Sequence, residues 1–278
     1  MIMKKIFKII IACLAACVLL GFLPPVSSST TSSPKQQIVK LEYQIKKARK
    51  KIAVKNRQIK HWRKKLAKEK QSTATSQTSA SQITVIKQQL ANLNYNKQAE
   101  ITVNHNNPEF LAADLITAKG AWQLYGNLDD LNRPTVANAL LNQSLMPTAK
   151  REELTWDPTG WHNKRISSGW LYNRSHLIGY QLTGQNNNPK NLITGTRKLN
   201  APEMLAHEDD IADYLKQSSQ HYVRYRVTPI FRGQELLARG VQMEAQSIGS
   251  DAIHFNVYIF NVEPGVTLNY TDGTSQIN

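Results

Sequence analysis

His176 stands in a 29-residue stretch, Tyr172 to Asn200, that also holds two Arg and six Asn but no acidic residue. Such a set has a definite chemical use. A neutral imidazole removes a proton from water near neutral pH. A guanidinium holds an anionic oxygen in a fixed fork at any working pH. A carboxamide oxygen is a hard ligand, and Mg²⁺, which keeps most of its waters, is satisfied by few protein oxygens. Base, anion clamp and cation ligand are together what hydrolysis of a phosphodiester demands. The attacking water must lose a proton, the crowded phosphate must be neutralised, and the leaving oxygen needs a cation or an acid.

The elements that must position these groups are legible at low detail. Trp170–Tyr172 reads as a strand running into His176, and Asn191–Gly195 reads as a second short strand. Pro202–Leu215 reads as a helix, with Pro202 in its first turn and Glu203 at its positive end. Asn200 falls just before that helix. Glu208 follows eight residues later, a little over two turns, and so shares its face. Strand, strand, helix, with a histidine on the first strand and metal ligands at the helix, is a ββα-metal arrangement.

This stretch resembles the DNA/RNA non-specific endonuclease family, and most closely its membrane-anchored branch of DNA-uptake nucleases in Gram-positive bacteria. The family's Asp-Arg-Gly-His box appears as Asn173-Arg174-Ser175-His176, its second Asn as Asn191, its metal-binding Asn as Asn200, its acidic residue as Glu208 and its upstream Arg as Arg151. The resemblance covers about residues 98–270. It implies that His176 is the general base, that Asn200 binds Mg²⁺ (with Mn²⁺ as a substitute), and that Glu208 orients metal-bound water. It further implies that Arg151 steadies the transition-state phosphate, that Asn191 holds the His-bearing loop, and that Arg174 braces the site or meets DNA. Products would carry 5′-phosphate and 3′-hydroxyl ends. Asn173 and Ser175 depart from the box, but neither removes the base or the ligand.

The rest of the chain surrounds this site with appendages. Of the net charge of +15, residues 35–70 carry +13, from 15 Lys/Arg and two Glu, whereas 71–278 hold 17 basic and 18 acidic residues. The folded body must therefore handle an anion by local arrangement, not by bulk charge. Lys4, Lys5 and Lys8 precede the apolar run Ile9–Leu23, which marks 1–26 as a signal peptide or membrane anchor. Leu14-Ala15-Ala16-Cys17 resembles a lipoprotein cleavage box, although Val18–Leu23 stays apolar after it. Cys13 and Cys17 are the only cysteines, so the body has no disulfide and no thiolate chemistry.

Ile38, Ile45, Ile52, Ile59 and Leu66 recur every seven residues among Lys and Arg, which predicts a basic coiled-coil stalk over 35–70. Membrane headgroups or an anionic cell-surface polymer would suit its charge. Residues 71–97 read as a polar linker, flexible over Gln71–Gln82, with a short helix expected at Ile83–Asn94. Residues 98–278 read as an α+β domain with an antiparallel sheet. Its clear strands are Ile101–Val103, Tyr222–Ile230, Val241–Ala245 and Ile253–Val262, and mixed loop and helix is expected over Trp122–Leu131 and Thr135–Leu145. Lys164 and Arg165 are candidate DNA-backbone contacts, with a solvated loop as the alternative. Trp161 and Trp170 are expected in the core in preference to stacking on bases. Arg224 and Arg226 are expected as surface charge.

The expected function is thus a metal-dependent, sequence-non-specific endonuclease acting on DNA, with RNA open to the same chemistry, at the outer face of the membrane or secreted. The competing reading is a surface-tethered protein that binds DNA or wall polymer through its stalk and carries a vestigial nuclease-like domain.

Overall fold

The computed structural model describes residues 34–278, and the side chains of 44–49, 51–66 and 83–278. The expected signal or anchor at 1–26 and the lipoprotein-like box lie outside the described residues. Among the described residues no helix is long and apolar enough to cross a membrane. The chain divides into two compact units, 1–69 and 70–278.

Helix α1 spans Pro34–Asn92. The expected linker at Gln71–Gln82 is therefore helical in the structure. The segment lacks the Gly and Pro that break helices, and Gln, Ser and Ala are tolerated there. In the first unit the heptad residues Ile45, Ile52, Ile59, Trp62 and Leu66 are exposed.

In the second unit, β1 (Glu100–Thr102), β2 (Trp122–Tyr125) and β3 (Ala137–Leu141) precede a small hairpin of β4 (Arg165–Ile166) and β5 (Gly169–Trp170). β6 (Tyr172–His176), the single-turn α2 (Tyr180–Thr183), β7 (Leu192–Thr196) and α3 (Leu205–Lys216) follow. The chain ends in β8 (Val223–Ile230), β9 (Gly240–Ser247), β10 (His254–Phe260), β11 (Val266–Leu268) and β12 (Ser275–Ile277). Six strands form one antiparallel sheet in the order β1-β10-β9-β8-β3-β2.

β2 and β3 replace the mixed loop and helix expected from the Ala-Leu-Leu pattern. Ala137, Ala139, Leu140 and Leu141 are all fully buried. A strand covered on both faces loses the polar alternation by which strands are recognised.

The main core joins α2, α3 and β7 to one face of the sheet through Ile211, Leu215, Val227, Met243, Val257 and Ile259. Residue alternation sends Tyr258 and Phe260 to the other face, where they pack with Leu90 and Ala91 from the end of α1. Arg232 donates to the carbonyls of Ala91 and Leu93 at 2.6 and 2.8 Å, satisfying acceptors that the helix end leaves open. The folded domain thus reaches upstream of the expected boundary at residue 98, because Leu90 and Ala91 belong to its core.

Arg224 and Arg226 are not surface charges. Arg224 is 4% exposed, lies against the rings of Phe110 and Trp122, and donates to the carbonyls of Ala139 and Tyr225. Arg226 pairs with Glu244 at 2.7 Å. The segment carrying Phe110 covers this sheet face, and buried cations must then find acceptors inside.

Candidate active site

β6 and β7 pair antiparallel, with His176 opposite Leu192, and the chain then turns through Leu199–Met204 into α3. Extended backbone at Ala201 (φ −150°, ψ 126°) separates Asn200 from the helix, which starts at Leu205 and not at Pro202. Asn200 and Glu208 nevertheless meet. They line one cavity of about 340 Å³ together with His176, Arg151, Gly179 and Tyr180. The continuous helical face expected from the eight-residue spacing is absent, and the turn before α3 performs the same placement.

His176 closes β6 and is 6% exposed. Its Nε2–H donates to the Asn186 carbonyl at 2.9 Å, so in the neutral ring the lone pair is on Nδ1. Burial lowers its pKa below the ordinary histidine value. The hydrogen bonds to the Asn186 and Gln185 backbone oppose that shift and the charge of Arg151 adds to it. The neutral imidazole is thereby favoured at neutral pH.

Asn191, fully buried, braces the turn after His176. Its Oδ1 accepts from Ile178 N and its Nδ2 donates to Ile178 O, each at 2.9 Å, while its own carbonyl accepts from Leu177 N.

Glu208 lies on the first turn of α3. Its Oε1 accepts from Gly179 N at 2.7 Å. A Cβ at residue 179 would lie 2.2 Å from Glu208 Oε2, so only glycine admits the carboxylate here. Burial pushes the carboxyl up to about 8, with Asp209 adding, while the Gly179 hydrogen bond and Arg151 pull it down. Among the described residues the Arg151 guanidinium and the Asn200 carboxamide have no hydrogen-bond partner, and both line the cavity.

These residues fit a divalent cation of the Mg²⁺ type. Among the described residues no group of three or more His, Cys, Asp or Glu could hold a metal. A site here must therefore rest on a free carboxamide and one carboxylate, hard oxygen donors suited to an ion that keeps its waters.

The other expected contacts divide. Arg174 Nε donates to the carbonyl of Trp156 at 2.9 Å and to Asp157 at 3.0 Å, and its guanidinium covers the ring of Trp161 at 4.6 Å. It braces the wall of the site. Lys164 is tied back onto the domain, because its ammonium spends one of its three N–H donors on the Ser275 carbonyl. Arg165 is exposed and lies 4.3 Å from the ring of Trp170. Ser175, at the box's departure from glycine, packs where a side chain at Gly195 would be.

Two residues of the site were not singled out from sequence. Asn186 Oδ1 accepts from Glu152 N at 3.1 Å, and Asn187 Oδ1 accepts from the backbone N–H groups of Thr155 and Trp156 at 3.2 and 2.9 Å. The same loop that fixes the His176 tautomer therefore also holds the segment carrying Arg151. The run Gln185-Asn186-Asn187-Asn188 signals side chains that bond to backbone, but not which backbone.

The sequence model of the family described as DNA/RNA non-specific endonuclease matches residues 115–249. A curated deoxyribonuclease from Streptococcus dysgalactiae subsp. equisimilis is 27% identical, and the match covers 54% of this chain. This chain spans 59% of the length of that relative. Among solved structures, NucA from Streptococcus agalactiae with magnesium bound has a TM-score of 0.59 at 26% identity, covering 67% of this chain and 92% of NucA. Sda1 nuclease with a bound zinc ion has a TM-score of 0.50 at 26% identity, covering 54% of this chain and 78% of its own.

Proposed function

Through residues 115–249 the chain belongs to the DNA/RNA non-specific endonuclease family, and from that premise we propose that it hydrolyses DNA phosphodiesters without sequence preference, with a divalent cation and His176 as general base. The observation that carries this reading is the convergence of His176, Arg151, Asn200 and Glu208 on one cavity, from four separate segments of the chain.

His176 takes the proton of the attacking water at Nδ1, because Nε2 is committed to Asn186. Arg151, with no partner of its own, meets the charge that builds on the non-bridging phosphate oxygens. Asn200 would hold the cation, and Glu208 would orient its bound water. A Mg²⁺ ion bound there supplies electrostatic relief to the phosphate and to the leaving oxygen. Gly179 fixes Glu208 through its backbone N–H, so one carboxylate oxygen is oriented before substrate arrives. RNA offers the same phosphodiester and is a second substrate on this reading.

The export reading of residues 1–26 supports action outside the cell, either anchored or released. The density of Lys and Arg over 35–70 supports attachment of the stalk to membrane headgroups or an anionic surface polymer.

The full chain is expected to nick and then degrade plasmid DNA with Mg²⁺, and excess chelator is expected to stop it. His176→Ala is expected to lower turnover about 10²–10⁴-fold. The base must be neutral, and its pKa lies below the ordinary value of about 6.5. Activity is therefore present above that pKa and lost as pH falls through it, so the acid limb of kcat/KM lies below about 6.5. Full cutting in chelator would sink the metal, and an active His176→Ala would sink the base. A purified chain that binds DNA but never cuts would return the assignment to a tether.

A further inference from the structure

The catalytic cavity adjoins a wider cleft of about 880 Å³, and the two share Arg151 and Asn200 in their linings. The cleft's other walls include Trp161, His162, Trp170 and Arg174. Resting on the nuclease reading above, we propose that Trp170 is a stacking platform for a nucleobase. The wide cleft then takes an unpaired base of a single-stranded or locally opened strand, whose adjoining phosphate lies at Arg151 and Asn200.

The placement of Trp170 carries this inference. It is 47% exposed, although the sequence expectation put it in the core. It closes a two-strand hairpin in which Arg165 pairs with Trp170 and Ile166 with Gly169 around the turn Ser167-Ser168. That register sets the Arg165 guanidinium 4.3 Å from the centre of the Trp170 ring. Arg165 stacks on one face of the ring and is not among the residues lining the cleft, whereas Trp170 lines it and is half exposed, so a second ring face remains for a ligand.

The support beneath the ring is fixed. Gly169 has φ 122°, and a Cβ there would lie 3.3 Å from Arg197 Nη1, so the missing side chain lets that guanidinium approach the hairpin. The next residue, Leu171, is fully buried, and its N–H donates to the Lys164 carbonyl at 3.0 Å. The platform therefore continues into β6 and stands six residues before His176 on the same run of chain.

The state of the neighbouring cations argues for stacking over tracking of a duplex backbone. Lys164 is committed to the Ser275 carbonyl, and Arg174 to Asp157 and the Trp161 ring. Among the residues lining the cleft, Arg151 is the one guanidinium without a partner, Glu153 opposes further cationic character, and the unpaired Arg197 under the hairpin is not part of the lining. Every base presents a π face, so stacking tolerates any sequence. A base inside a duplex has both faces covered by its neighbours, so the same contact favours an unpaired strand.

The test compares wild-type chain and Trp170→Ala on a fluorescent 20-mer of thymidine, the same strand in duplex, and a single strand with abasic residues at its central positions. The expected result is that Trp170→Ala lowers the single-strand-to-duplex ratio of kcat/KM about tenfold, mainly through KM. Trp170→Phe should restore most of that ratio, and wild type should lose the same preference on the abasic strand. An unchanged ratio, or equal losses on single strand and duplex, overturns the platform while leaving the nuclease reading intact. If wild type cuts none of the three strands, it is the nuclease reading that fails. The platform is then judged by indole fluorescence, which the thymidine strand must quench in wild type and not in Trp170→Ala.

Discussion

The basic helix and the cavity at His176 use positive charge in opposite ways. Residues 35–70 carry 15 Lys and Arg, and the described side chains over 44–66 are exposed. In the unit from residue 70 onward most arginines are already spent. Arg133 pairs with Asp129, Arg174 with Asp157, Arg226 with Glu244 and Arg239 with Glu235. Arg151 has no such partner and stands where two cavities meet. Charge in water is screened and attracts anions in general, whereas one unpaired guanidinium at a cavity acts on a particular phosphate. The number of cations is thus a poor guide to where chemistry occurs, and an unpartnered cation that also lines a cavity is a better one.

Three perturbations sharpen or break that contrast, in falling order of effect. Arg151→Ala is expected to lower kcat about 10²–10³-fold, with part restored by Arg151→Lys, because it removes charge stabilisation at the reacting phosphate. A variant that changes only KM would put Arg151 in the same class as the helix. Asn187→Ala is expected to lower kcat about tenfold, by loosening the segment that aims Arg151 while leaving the ring of His176 in place. Its acid limb should stay where wild type has it, and a shifted limb would instead assign Asn187 to the base. Deletion of residues 35–69 is expected to raise KM for long DNA severalfold at low salt, an effect that fades by about 0.3 M salt, with kcat retained. A comparable loss of kcat would show that the stalk takes part in catalysis.

The site was more legible in the sequence than the fold around it. His176, Asn191, Asn200 and Glu208 are picked out together by the family resemblance, and the structure brings His176, Asn200 and Glu208 to one cavity with Asn191 bracing the turn after His176. Strands β8, β9 and β10 alternate clearly enough to be read. β3 does not, because burial of consecutive residues such as Leu140 and Leu141 erases the period, and β2 is a four-residue strand with no buried residue to mark one. Arg224 reads as a surface cation until Phe110 and Trp122 are seen against it. Lys164 reads as a DNA contact until the carbonyl of Ser275, 111 residues away, takes its ammonium. In each case a partner remote in sequence decides the outcome.

The sequence by itself determined the reaction's vocabulary: an imidazole, a carboxamide, a carboxylate and a guanidinium, with a heptad helix ahead of them carrying nearly all the net charge. Tertiary structure alone decided which nitrogen of His176 is committed to a carbonyl, that Arg151 lines the cavity without a partner, and that Trp170 stands exposed beside a cleft. The reason is physical. Side-chain type and local spacing are properties of the chain, but a hydrogen-bond partner, a desolvated carboxyl and an exposed ring are properties of packing between segments the sequence keeps far apart.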